Sequence, residues 1–194
     1  SAVPPRFLRL TALPTMLLLF AVCGRHAMAA PDVVVSIAPL HSLVAAVMAG
    51  SRPPHLLLRG DESPHTFSLR PSDARVLDDA DILFWIGPPL ERPLARILPN
   101  LGVPRTVAML DTPGLIVLPN RAPDTTGHHG ESGSQQTDHA FEEAGIDPHV
   151  WLSPANARAM AAAIAAALSE IDGANAGVYA ANLDQFSLSL DAVE

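Results

Sequence analysis

Eight histidines and one cysteine are the residues of this 194-residue sequence whose types first suggest chemistry. Neutral imidazole is a ligand for borderline metals such as zinc, whereas one cysteine excludes thiolate zinc sites and any internal disulfide. The two most informative positions are His65 and His149. His65 stands in a polar loop between an apolar run and the helix signal Pro71-Ser72-Asp73, and His149 stands just before the helix signal Ser153-Pro154. Loops at the carboxyl edge of an open α/β sheet gather in space, so two residues far apart in sequence can converge there on one ligand. The plain alternative for each is a loop histidine satisfied by a backbone carbonyl. His41 fits a helix N-terminus and reads as structural or supporting, and His55 opens a buried strand and reads as structural. Asp61 and Glu62, close to His65, could be acid/base carboxylates, although paired acids are common on solvated loops. No nucleophile elbow, His-Glu-x-x-His or phosphate-cradling glycine loop is present.

The elements that must position these side chains follow from periodicity. With 48% hydrophobic residues the chain can bury a core. Val33 to Ile37, Leu56 to Leu58, Ile82 to Ile86 and Thr106 to Leu110 read as strands, and the first three are apolar apart from Ser36, as in a sheet buried on both faces. Helices are expected over 40–48, ended by Gly50, over 71–77, and over 90–98 with Pro93 in the first turn. Alternation of strand and helix at short spacing predicts an α/β fold, a parallel-sheet lobe with flanking helices on both faces. From Arg121 to Gly145 the texture becomes polar and low in complexity and includes His128, His129 and His139, which reads as a flexible insertion. Beyond it, Ser153 caps a helix with a stripe of Met160, Ile164, Leu168 and Ile171. A further helix after Gly173 carries Tyr179, Leu183, Phe186, Leu190 and Val193. That stripe is still running at Glu194, so residues 173–194 read as the start of a longer helix whose apolar partners lie outside this sequence.

At the other end, Arg6 and Arg9 precede an apolar stretch of about 14 residues, interrupted by Pro14 and followed by Ala27-Met28-Ala29. A spanning helix needs roughly 20 apolar residues, so residues 1–29 read as a secretory signal peptide cleaved after Ala29. Its removal leaves a cysteine-free chain of net charge −11. All twelve basic residues are scattered arginines, which argues against nucleic acid as a partner.

Gly60-Asp61-Glu62-Ser63-Pro64-His65 through Arg70-Pro71-Ser72-Asp73, then Ala80-Asp81 to Gly87 and Glu91, then Asp147-Pro148-His149-Val150-Trp151-Leu152-Ser153-Pro154, resemble in the same order the zinc and manganese substrate-binding proteins of bacterial ABC importers. The resemblance covers essentially all of residues 32–194, and the histidine-containing loop resembles the zinc-specific members. It implies two α/β lobes joined by a long helix, with metal in the cleft. Residues 30–172 would be the N-terminal metal-binding lobe and 173–194 the start of the linking helix, with the second lobe absent. His65 and His149 would be metal ligands from this lobe, and Pro64 stands where some zinc-specific members carry an acid. The implied function is capture of zinc in the periplasm by a monomeric, non-enzymatic protein and its delivery to an inner-membrane ABC permease. His128, His129 and His139 would form an auxiliary collecting loop. A manganese or iron carrier of the same fold, or an exported zinc hydrolase, are the alternatives.

Overall fold

The computed structural model describes residues 30–60, 62–120 and 145–192. The expected signal segment 1–29, Asp61, Val193 and all of the histidine loop except Gly145 lie outside the described residues. Four strands form one parallel sheet: β1 (Val33–Val35), β2 (His55–Leu56), β3 (Ile82–Trp85) and β4 (Thr106–Ala108), in the order β2-β1-β3-β4. β1 and β3 are central, and every one of their residues is buried, which explains their uninterrupted apolar sequences. The strands are shorter than the sequence suggests because the ladder loosens at its carboxyl edge. Ser36 N–H still donates to the Phe84 carbonyl at 3.0 Å, and Leu57 and Leu58 N–H donate to Val35 and Ser36 at 2.8 and 2.9 Å.

The helices are α1 (Ala38–Val47), α2 (Pro71–Asp78), α3 (Arg92–Ile97), α4 (Pro154–Ile171) and α5 (Ala176–Asp191). Proline opens each of the first four, where a missing N–H costs nothing. At α2, Asp73 Oδ2 reaches back to accept from the Arg70 N–H at 3.0 Å. At α4, the Ser153 side chain accepts from the Asn156 N–H as the sequence implies. The chain runs from β1 outward to β2, then back across β1 to β3 and on to β4. Right-handed crossovers therefore require α1 on one face and α2 and α3 on the other.

α4 and α5 pack against each other and against α1. The α4 stripe behaves as its spacing predicts: Met160, Ile164 and Leu168 are fully buried and Ile171 packs on the core margin. The α5 stripe requires a correction. Tyr179 is fully buried, and Leu183, Phe186 and Leu190 are partly buried against the same core, so this face finds partners within the chain. Two polar anchors reinforce it. Tyr179 Oη donates to the buried Asp172 at 2.6 Å, and Asn182 Nδ2 donates to the Val47 and Ala49 carbonyls at 2.8 and 2.9 Å, closing the otherwise open end of α1. Among the described residues no helix is long and apolar enough to cross a membrane.

Leu168 is central to the α1–α4–α5 layer, and Leu168→Ala would leave a cavity there. The expected cost is about 2–5 kcal/mol of unfolding free energy, read from urea denaturation followed by circular dichroism.

Candidate metal centre

Between β1 and β3 the sheet reverses its direction of winding, and loops leaving the two strands diverge there. A crevice at the carboxyl edge is the geometric result. The structure has such a cleft, of about 420 Å³. Ile37, Ala38 and Pro39 line it from the end of β1, Leu58 and residues Glu62 to His65 from beyond β2, and Leu90 from beyond β3. His149 and Trp151 close it from the segment before α4. The two histidines singled out by sequence thus share one cleft although 84 positions separate them.

Each ring is oriented by a hydrogen bond at the same atom. His65 Nδ1–H donates to the Leu90 carbonyl at 3.1 Å. The turn beneath it is set by Ser63, whose carbonyl accepts from Thr66 and Phe67 N–H at 3.2 and 3.1 Å and whose hydroxyl accepts from the His65 N–H at 3.3 Å. His149 Nδ1–H donates to Asp147 Oδ1 at 2.7 Å, and the same oxygen accepts the His149 backbone N–H at 3.0 Å. Trp151 meets the His149 ring edge-on, with centroids 5.2 Å apart. In both residues the Nδ1–H tautomer leaves the lone pair on Nε2, the form in which imidazole binds a metal, and a carboxylate acceptor also raises ligand basicity.

The segment carrying His149 is held from below by buried Asn156. Its Oδ1 accepts from Ile116 N–H at 2.8 Å, and its Nδ2 donates to the Ile116 and Val150 carbonyls at 2.8 and 3.0 Å. The segment carrying Leu90 is held by Glu91, which is fully buried. Its Oε2 accepts from Ile86 and Gly87 N–H, both at 2.9 Å. Burial pushes the Glu91 carboxyl up to about 7, opposed by the adjacent Ser36 hydroxyl and the two backbone donors. The Ser36 hydroxyl lies beside Glu91 without a hydrogen bond of good geometry to Oε1.

The remaining sequence candidates separate clearly. His41 Nε2–H donates to the Pro54 carbonyl at 3.0 Å and ties α1 to the approach to β2. His55 accepts from Arg59 at 3.3 Å, and burial together with that guanidinium lowers its pKa. Glu62 lines the cleft, but Oε1 accepts from Arg70 at 2.8 Å and Oε2 from the Arg59 N–H at 3.3 Å, so it braces the loop. Asp61 and the loop histidines His128, His129 and His139 lie outside the described residues. Asp147 and Glu91 entered the sequence reading only as positions of the resemblance, without a role of their own, and Asn156 was not singled out. The Asp-x-His spacing at 147–149 was a usable signal for the first, whereas the partners of the other two depend on the folded chain. Among the described residues no three metal-ligating side chains converge on one point.

Fold and cleft together define the class: a parallel α/β lobe with a crevice at its switch point, lined by two imidazoles that are each anchored through Nδ1. Residues 33–194 match the family described as zinc-uptake complex component A, periplasmic, also named ZnuA, and the chain belongs to that family. The high-affinity zinc uptake system protein ZnuA of Brucella abortus is 36% identical over 184 residues, covering 83% of this chain and 55% of the relative. That of Paracoccus denitrificans is also 36% identical, over 192 residues, covering 87% and 58%. The chain spans about half the length of these curated relatives. The zinc-bound ZnuA-like domain of Streptococcus pneumoniae AdcA shares the fold, with a TM-score of 0.64 at 19% identity, over 84% of this chain and 52% of that one.

Glu91 makes stability depend on pH. With its carboxyl raised from 4.5 to about 7, the native state keeps a proton that the unfolded chain releases between those values. Its contribution is therefore complete below about 4.5 and is lost as pH rises towards 7. Thermal melting across that window should show the wild type losing stability relative to Glu91→Gln as pH increases.

Proposed function

We propose that this chain is the metal-capturing N-terminal lobe of a periplasmic zinc-binding protein that delivers its cargo to an ABC-type permease in the inner membrane. The observation that carries the reading is the pair of Nδ1-anchored imidazoles, His65 and His149, brought by separate loops to one cleft. Family membership and the zinc-uptake names of the relatives support zinc as cargo rather than as a resident cofactor. Two neutral nitrogen ligands supply half of a tetrahedral shell, so further ligands come from a second lobe in the longer protein. His149 also borders a hollow flanked by exposed Ile116, Leu118 and Leu152, an apolar surface that the second lobe would cover. Residues 1–29 act as a cleaved export signal, residues 30–172 as the lobe and residues 173–194 as the start of the linking helix, in a protein that works as a monomer and is not an enzyme.

Imidazole pairs suit zinc better than manganese, which prefers oxygen-rich sites. A hydrolase would need a carboxylate poised as a base over an open metal position. Glu62 is engaged by Arg70 and the Arg59 backbone, and Glu91 is buried in the turn after β3, so neither fills that role. His128, His129 and His139 form an auxiliary collecting loop. Ordering such a polar segment around a metal costs on the order of 1 kcal/mol of backbone entropy per residue, which keeps its affinity below that of the cleft.

In the full-length protein, His65→Ala and His149→Ala should each lower zinc affinity by more than the roughly 10–100-fold that follows loss of an outer hydrogen-bond partner, with an unchanged circular dichroism spectrum. Normal zinc titration by both variants would place the site elsewhere. Because imidazole must be neutral to bind, zinc affinity should weaken on acidification. Deleting residues 125–139 should remove weak additional zinc equivalents in calorimetry while the tight site remains.

A further inference from the structure

A buried carboxylate that touches no metal ligand stands directly behind one. We propose that Glu91 is a positioning residue that sets the tautomer of His65 through the Leu90 carbonyl.

The chain leaves β3 through Ile86-Gly87-Pro88-Pro89-Leu90-Glu91 and must turn within six residues to begin α3. Gly87 adopts φ 137°, a conformation unfavourable for side-chain-bearing residues, and its carbonyl accepts from Leu90 and Glu91 N–H at 3.1 and 3.0 Å. The two prolines fix their own φ and bring no N–H to the turn. Glu91 Oε2 then closes the loop on itself by accepting from Ile86 and Gly87 N–H, both at 2.9 Å. The turn is thereby tied at both ends to one carboxylate oxygen, and Leu90, between the ties, is held with its side chain buried and its carbonyl towards His65 Nδ1 at 3.1 Å.

A carbonyl can only accept, so an oxygen fixed at that place selects the Nδ1–H tautomer of the neutral ring and puts the lone pair on Nε2. Glu91 acts at one remove, through the direction of a peptide group. His149 makes the comparison within the same cleft. Its Nδ1–H partner is Asp147, on its own segment, and owes nothing to the turn after β3. The cost of keeping Glu91 buried, with Oε1 lacking a well-formed hydrogen bond, is consistent with a residue retained for more than packing.

The consequence for zinc rests on the reading of His65 as a ligand, whereas the tautomer itself does not. The test is long-range 1H–15N NMR of the imidazoles in the full chain, on wild type, Glu91→Ala, Glu91→Asp and Glu91→Gln at one common mildly alkaline pH. Glutamine keeps an oxygen that can accept from both N–H groups. Alanine removes it and aspartate withdraws it by one methylene. The expected result is Nδ1–H at His65 in wild type and Glu91→Gln, a shift of His65 towards the Nε2–H form in Glu91→Asp and Glu91→Ala, and Nδ1–H at His149 throughout. Should Glu91→Ala fail to fold, the Asp and Gln variants still decide. Retention of Nδ1–H at His65 in a folded Asp or Ala variant, or its loss in Glu91→Gln, overturns the proposal. Zinc titration of the same variants in the full-length protein separates the two claims. A His65 tautomer shift with a 10–100-fold loss of affinity supports both, and the same shift with unchanged affinity keeps Glu91 as the positioning residue but removes His65 from the ligand set.

Discussion

The site depends on two hydrogen bonds made by the same atom of two different rings. His65 Nδ1–H to the Leu90 carbonyl and His149 Nδ1–H to Asp147 leave Nε2 as the basic nitrogen in each case. A lone pair fixed before the metal arrives is worth more than one found by rotation, because the entropy of ordering the ring is met during folding. Much of the architecture serves those acceptors. The switch between β1 and β3 opens the crevice, the Glu91-tied turn presents Leu90, and Asn156 bridges Ile116 to Val150 beside His149.

Capture and release, the function proposed above, would suit this arrangement. If His65 and His149 hold the ion as proposed, they do not complete a tetrahedral shell by themselves, and affinity would depend on the ligands that meet them across the cleft. Met160, Ile164, Leu168 and Tyr179 are buried in the α1–α4–α5 layer, while His149 keeps about 40% of its side-chain surface exposed. Under that proposal a half-site with an exposed outer side would hand over its ion when the opposite ligands withdraw.

Much of this was legible in the sequence. Fully buried β1 and β3 left unbroken apolar runs, and proline marked the start of three helices, because those are local constraints. His65 and His149 stood out by residue type and by their loops, and the strand–helix alternation put such loops at one edge. What local patterns could not reveal were contacts made across the fold. Leu90 meets His65 through a backbone carbonyl 25 residues away, and Asn156 bonds a peptide 40 residues away. Glu91 stood in the sequence reading as a position of the resemblance without a role, and only the folded turn shows it buried. The α5 stripe was read correctly as apolar but wrongly as unpartnered within this chain, since its spacing says nothing of which neighbours lie within reach.

The most direct measurement is the crystal structure of the full-length protein soaked with zinc, with data collected on both sides of the zinc absorption edge. The account predicts an anomalous peak in the cleft, bonded to Nε2 of both His65 and His149 at about 2.0–2.1 Å, with both Nδ1 hydrogen bonds retained. A zinc ion bound through Nδ1 of either residue, or seated away from this cleft, would contradict it.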